Sequence, residues 1–485
     1  MAHSANPPGG YRLSTGSLAR QYRASIDSPA GKGSEMRNGL VQSFFAPAAR
    51  PRIVRAEGIW FIDSEGRRFI DVSSGPVACN LGHGNPRVLD AMARQARELA
   101  FAFPAQFETD ANAKLGERLA ELCGPGLDRA FLVSGGSEAI ETAIKFLRQH
   151  AVAIGQKDRW KVIALEPSYH GNTLGALAIS GDPVAREIFA PLLAQHLHIP
   201  APLTYRIAEN HTQESWARQC AAALENTIRR EGPETVLAFV MEPVGGTSSG
   251  ANVPHDLYHV AVREICTRYG IALVHDEVMC GAGRTGRFLA SDYWAGARPD
   301  MVVLAKGVTA GYTPMGVVMA SAHMVETVAE AGGFAHTFTY FANPLSCAVG
   351  LAVLDEVISG DLVGNAARMG ALLREGLQQL ANESAIIGDV RGRGLLLAVE
   401  LVADKDSGRM LPAALKAVGR FQTIALDHGL AIYARRTGGG RWGEWLMVSP
   451  PLTVTPDEVA ELLTRLRGAI FAFEAELRAC GAWPT

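Results

Sequence analysis

The chain is short of the features that mark secreted, membrane-spanning or nucleic-acid-binding proteins. Its seven cysteines, Cys79, Cys123, Cys220, Cys266, Cys280, Cys347 and Cys480, are an odd number spread far apart, with no close pair at metal-ligand spacing. That pattern argues against a disulfide framework or a zinc site and for a reducing compartment. No uninterrupted apolar run is long enough to span a bilayer, and the opening residues, MAHSANPPGGYRLSTG, lack the apolar centre of a signal peptide. The expectation is a cytoplasmic protein. An excess of one charge sign is also missing: 46 basic against 49 acidic residues leave a net charge of -3, which offers no footprint for nucleic acid or an anionic membrane. Internal repeats are absent. What remains is an average globular composition, 48% hydrophobic and 20% charged, which excludes general disorder. At 485 residues the chain exceeds one compact core, so two or three lobes are expected, with a small molecule as the default partner.

Residues 1 to 38 are rich in Gly, Pro, Ser and charge without periodicity and read as a loose arm. From Arg52, IVRAEGIWFIDSEGRRFIDVSSG alternates as a small antiparallel meander with turns at Glu57-Gly58 and Glu65-Gly66. Pro86 then opens a helical segment reaching Leu99. Beyond it, helical stretches alternate with short apolar runs: FLV at 131, VIAL at 162, LAFVM at 237, IALV at 271 and MVVLA at 301. This alternation is that of an α/β chain with a mostly parallel sheet covered on both faces. Helices are expected after Pro344, around Ala366 to Leu380 and from Pro456, with short strands near Leu395 to Leu401 and Trp445 to Val448. The organisation expected is an arm (1–38), part of a small domain (39–75), a large cofactor-binding domain (76–344) and the rest of the small domain (345–485).

Ligands in such sheets sit at the carboxyl ends of the strands, and two residues there set the chemistry. Lys306 follows a buried run and is flanked by Ala305 and Gly307, so desolvation lowers its pKa and makes its amine a nucleophile toward carbonyls. Asp276 ends its own run and offers a fixed negative charge. A lysine able to form a Schiff base and a carboxylate able to keep a pyridine nitrogen protonated are what pyridoxal phosphate (PLP) asks of a protein. Read singly, a lysine is usually solvated and a strand-end aspartate usually caps a turn.

Other strand ends supply matching parts. Ser134-Gly135-Gly136-Ser137 follows FLV and opens a helix, where free N–H groups and the helix dipole make a phosphate site; Ser137 with Glu138 would equally suit an ordinary capped helix start. Ser168-Tyr169-His170-Gly171-Asn172 lies just past VIAL, with an aromatic ring able to stack on a planar heterocycle and a glycine permitting close approach. Glu242 after LAFVM is a third carboxylate at this edge, suited to orient the cofactor or Asp276 or simply to cap a loop. The stretch from His336 to Pro344 offers hydroxyls before a proline-initiated helix, a second phosphate contact or a plain turn. A competing signal is Gly281-Ala282-Gly283-Arg284-Thr285-Gly286, literally G-x-G-x-x-G. A dinucleotide site would need a helix opening at the third glycine and an acidic residue roughly 20 residues on. Neither is evident, so a nucleotide-dependent oxidoreductase is a remote alternative.

The ordered stretches SGGSEAIETAIKF, SYHGNTLGAL, EPVGG, DEVMCGAGRTG, LAKGVTAGYTPMG, HTFTYFANP, VRGRGLLLAVEL and SPPLTVT resemble the class III aminotransferases, PLP enzymes of fold type I, over roughly residues 40 to 475. The resemblance implies a seven-stranded large-domain sheet, Lys306 as the Schiff-base lysine, Asp276 as partner of the pyridine nitrogen, and Val278 and Tyr169 on the two ring faces. It implies a phosphate held by Gly136, Ser137 and a Thr339 from the neighbouring subunit, in a homodimer or homotetramer with the active site at the dimer interface; His170 and Glu242 belong to the cofactor site. An amine donor and an oxo acid such as pyruvate would react by a ping-pong scheme, and a racemase or aminomutase of the same fold is the alternative. Relatives in the ω-amino acid:pyruvate and amine:pyruvate branch use a movable arginine as carboxylate clamp; the equivalent region, IYARRTGGGRWGEW, offers Arg435, Arg436 and Arg441. The tryptophan that many of those relatives carry between Gly75 and Cys79 is missing here.

Overall fold

The computed structural model describes residues 50–207 and 210–480 of the chain. The arm expected over residues 1–38 lies outside them. The meander forms as its turns require, β1 (Ile53–Glu57), β2 (Trp60–Asp63) and β3 (Arg68–Asp71) pairing antiparallel in sequence. Its turn glycines, Gly58 and Gly66, have φ of +54° and +80°, where a side chain would be strained.

The central sheet comprises β4 (Arg129–Val133), β5 (Lys161–Glu166), β6 (Leu197–Pro200), β7 (Val236–Met241), β8 (Ala272–Asp276), β9 (Met301–Leu304) and β10 (Gly316–Ala320), in the order β4-β10-β9-β8-β7-β5-β6. The pairs among β5 to β9 are parallel, and β10 runs against both its neighbours. Every residue of β7, β9 and β10 is buried, because helices cover both faces of the sheet and leave no polar side. The helix Gly136–Ala153 packs one face through Ala139, Ile140, Ala143, Phe146 and Leu147, a stripe at three- and four-residue spacing.

The C-terminal third folds as a second, antiparallel sheet of β11 (Ile387–Arg393), β12 (Leu396–Leu401), β14 (Tyr433–Thr437) and β15 (Gly443–Val448), while the two residues of β13 (Leu430–Ala431) pair in parallel with β3 and extend the N-terminal meander. Long helices, Leu362–Glu383 and Pro456–Ala479, bury Leu373, Leu377, Leu462 and Ile470 against this sheet in a core of its own. Several helix starts carry side-chain caps. Asn85 accepts from Val88 N (3.2 Å) with Pro86 in the first turn, Asn343 accepts from Ser346 N (3.2 Å) before Pro344, and Thr455 with Glu458 closes a reciprocal capping box. Among the described residues, no helix is long and apolar enough to cross a membrane.

Candidate active site

The carboxyl ends of β4, β5, β7, β8 and β9 converge on a cavity of about 450 Å³ lined by Gly136, Ser137, Tyr169, Asp276, Val278 and Lys306 among others. Its size is that of a small-ligand pocket. A larger hollow of about 940 Å³ lies beside the meander, lined by Phe61, Asp71 and Tyr433 among others, with no lysine or histidine in its wall.

Lys306 sits immediately after β9 and Ala305, with φ +42°. A lysine in left-handed backbone is held there by its surroundings, and such strain concentrates at functional positions. Burial pulls its amine down to about 8, against the opposing pull of Asp276 and Glu242, which favour the charged form. A fraction of the amine is therefore neutral and nucleophilic near neutral pH.

Asp276, at the end of β8, is only 4% exposed, and both its oxygens are occupied. Oδ1 accepts from Val278 N at 3.0 Å and Oδ2 lies 2.7 Å from His170 Nδ1. Because an ionised carboxylate only accepts, His170 Nδ1 donates. The imidazole is fixed from behind by its own backbone N–H, which donates to Ser180 Oγ at 2.8 Å, and its Nε2 is buried without a partner. Glu242 bonds the backbone rather than Asp276: Oε2 accepts from Tyr169 N (3.2 Å) and Oε1 from Gly246 N (2.8 Å). Burial raises its pKa, His170 opposes that, and Asp276 adds to it. Glu242 thus ties the Tyr169 loop to the loop after β7.

The helix start after β4 carries no side-chain cap, its N-cap being the extended Gly135. Glu138 turns back to accept from Ser134 N at 2.9 Å, and Ser137 Oγ accepts from Asn172 N at 3.0 Å. The first helical N–H groups are left free for an anion. A Cβ at Gly136 would come within 3.2 Å of Val278, and one at Gly171, whose φ is +139°, would come within 2.5 Å of Ser137 Oγ. Both glycines keep the cradle open. A nucleophilic amine, a held carboxylate, an uncapped helix start and Val278 and Tyr169 in the same wall fit a phosphorylated planar heterocycle such as PLP.

Thr339 is not brought to this cavity within one chain; it is exposed, next to Tyr340, which is 64% exposed. The three arginines separate by strand register. Arg435 and Arg436 are neighbours on β14, so they face opposite sides of the sheet. Arg436 lies opposite Glu444 on β15 and donates to it at 2.9 Å, with side-chain exposures of 12% and 1%. Arg435 lies opposite Trp445 and pairs with Asp182. Arg441, 69% exposed, is 3.6 Å from Glu166 and stacks over Trp442.

The glycine run at 281 is not a nucleotide loop. No helix opens at Gly286, and the run is buried between the lobes. Its Arg284, fully buried, donates to the carbonyls of Leu395, Ser449 and Pro450 and to Asn80 Oδ1 (2.6 Å), and burial lowers its pKa to about 10. Sequence reasoning passed over this brace between the two lobes. Its only signal was an arginine set among glycines. Glu277 was missed too; it accepts from Ala290 N (2.6 Å) and Ser291 N (2.8 Å) and anchors the loop behind Asp276.

Comparison with known proteins points one way. The family model for aminotransferase class-III matches residues 45–470. The uncharacterized aminotransferase YodT of Bacillus subtilis is 34% identical over 434 residues, covering 89% of this chain and 97% of that protein. The putrescine–pyruvate aminotransferase of Pseudomonas aeruginosa is 32% identical, covering 86% of this chain and 89% of that one. The omega transaminase of Pseudomonas jessenii, solved in complex with PMP, matches with a TM-score of 0.84 at 30% identity, over 93% of this chain and 98% of that chain.

Proposed function

The chain belongs to the class-III aminotransferases, and from that premise we propose how its own residues carry the reaction. The enzyme is a fold type I, PLP-dependent transaminase that moves an amino group from an ω-amino acid, amino acid or primary amine to an oxo acid such as pyruvate. Bound PLP supplies an aldehyde carbon for amine exchange and an electron-withdrawing ring. The single observation that carries the assignment of roles is the placement of the Lys306 amine, lowered to about 8, in one small cavity with the Asp276–His170 pair.

Lys306 Nζ is the amine that holds the cofactor and, once displaced by the donor, takes and returns the proton at the donor's amine-bearing carbon. Asp276 holds a proton at the ring nitrogen, and His170 keeps that carboxylate in place by its Nδ1–H. Val278 and Tyr169 bracket the ring. Gly136, Ser137 and the free N–H groups of the helix start take the phosphate. Donor product leaves before the oxo acid enters, so one site serves both halves of a ping-pong scheme.

Two further parts belong to the same reading. Thr339 completes the phosphate site of a neighbouring subunit in a homodimer or homotetramer, which is supported by its exposure and by the exposed Phe101, Phe107 and Tyr340 in the same part of the surface sequence. Arg435 is the carboxylate clamp, because Arg436 is committed to a buried partner and Arg441 is spent on the surface. The free cysteines agree with a cytoplasmic enzyme.

The test is an absorbance spectrum of the purified protein alone, after an amine donor, and after subsequent pyruvate. The expected result is a visible cofactor band that the donor bleaches and pyruvate restores. A band that no donor bleaches would turn the assignment toward a racemase or aminomutase, and a protein that takes up no PLP would end it.

A further inference from the structure

Arg435 does not wait at the pocket as an unpaired cation. Its guanidinium donates to Oδ2 of Asp182, and the two side chains are 20% and 15% exposed, so the pair is half-desolvated yet reachable by solvent. Asp182 is also a helix cap, since its Oδ1 accepts from Val184 N (3.2 Å) and Ala185 N (3.4 Å) at the start of the short helix Pro183–Phe189. The carboxylate is therefore fixed in position by backbone bonds, whereas Arg435 reaches it on a long, flexible side chain. Both charges are close enough to Tyr169, in the pocket wall, to act on its phenol in opposite directions, Arg435 lowering and Asp182 raising its pKa, with burial the largest effect. The neighbouring ion pairs do not share this arrangement. Arg436 is locked across the strands to Glu444, and Arg186 and Arg441 both reach Glu166 at 3.6 Å.

We propose that Asp182 is a specificity-determining residue: it competes with the substrate's carboxylate for Arg435 and so sets the balance between anionic, neutral and cationic amine donors. Closed, the pair is close to neutral and suits a donor with an uncharged tail. A donor carboxylate must displace Asp182 to reach Arg435, which weakens its binding. A diamine's distal ammonium meets a mouth in which Asp182 cancels Arg435, so it is not repelled. The idea rests on the transaminase reading and on Arg435 as clamp, and it makes the order of donors a property of one carboxylate outside the cofactor site.

The experiment uses the holoenzyme and Asp182→Asn, a substitution that removes the charge while asparagine keeps the helix cap. Three donors are compared at saturating pyruvate: 4-aminobutyrate, putrescine and butylamine. A fourth measurement, independent of turnover, is the dissociation constant of glutarate, which carries carboxylates but no amine. The expected result in Asp182→Asn is about tenfold tighter glutarate binding and about tenfold lower KM for 4-aminobutyrate, since the competing charge is gone. KM for putrescine rises by a similar factor because Arg435 is left uncompensated, and butylamine is unchanged. In Arg435→Gln the gain for glutarate and 4-aminobutyrate disappears while putrescine turnover is kept. An equal change for all three donors, or an unchanged glutarate constant, overturns the proposal. If no donor is turned over by the wild-type enzyme, the transaminase reading fails instead, and the glutarate constant still decides whether Asp182 competes for Arg435.

Discussion

The floor and the mouth of the active site are built by different rules. At the floor, Asp276, His170, Glu242 and Lys306 stand at the ends of buried strands, and the acids and the imidazole have backbone or side-chain partners within about hydrogen-bond length. At the mouth, Asp182, Glu166, Arg186, Arg435 and Arg441 come from a short helix, strand ends and a glycine-rich turn, and they meet as ion pairs that solvent can reach. Buried, saturated groups hold one geometry because a broken bond leaves an uncompensated polar atom. Exposed pairs are worth little and exchange partners readily. The chemistry can therefore be constant while the substrate is negotiable.

The sharpest way to break this comparison is at the floor. Lys306→Ala is expected to fold with an unchanged melting temperature and to lose about 10⁴-fold or more in kcat, because nucleophile and proton shuttle go together. Wild-type turnover in that variant would remove the lysine from the mechanism. Asp276→Asn is expected to bind PLP yet lose about 10³-fold in kcat, since a neutral partner no longer holds the ring proton and His170 loses its acceptor. A near-normal rate there would reduce Asp276 to a structural role.

The amine's pKa supplies a third test. Below a pKa of about 8, Lys306 is protonated and not nucleophilic, so the rate at which apoprotein is reconstituted by PLP should fall about tenfold per pH unit as pH drops below 8 and level off above it. A flat profile between pH 6 and 9 would show that the amine is not the rate-determining nucleophile.

The mouth should respond in graded fashion. Arg436→Ala removes the partner of the buried Glu444 and is expected to cost about 3 kcal/mol of stability by denaturant titration. Its effect on donor preference should be small. Arg441→Ala, at 69% exposure, is expected to change KM less than about twofold for every donor. A strong, carboxylate-specific KM defect in Arg441→Ala would move the clamp from Arg435 to the turn.

Much of the floor could be read along the chain. Asp276 and Lys306 each close an apolar run, Ser134 to Ser137 open an amphipathic helix, and strand-end placement follows from the α/β alternation alone. Two strands of the central sheet do not stand out as apolar runs after helical stretches. LHIP at 197 is a half-exposed edge with a histidine, and GVVMA at 316 is an antiparallel strand inserted between β4 and β9, partners that lie far from one another in sequence. The G-x-G-x-x-G match misled in a specific way: its glycines make room for a buried arginine between the lobes, and a pattern of residue types does not say whether a loop faces a ligand or a neighbouring strand.

Local order along the chain thus determined the fold class, the strand ends and the lysine–aspartate chemistry, because period, caps and runs are properties of consecutive residues. Only the tertiary structure decided that His170 backs Asp276, that Glu242 ties two loops, that Arg284 braces the lobes, and that Arg435 rather than Arg436 is held by Asp182. Each of those is a pairing between residues distant in the chain. Adjacent residues on a strand point to opposite faces, so two neighbouring arginines of the same charge differ only in what the fold sets against them.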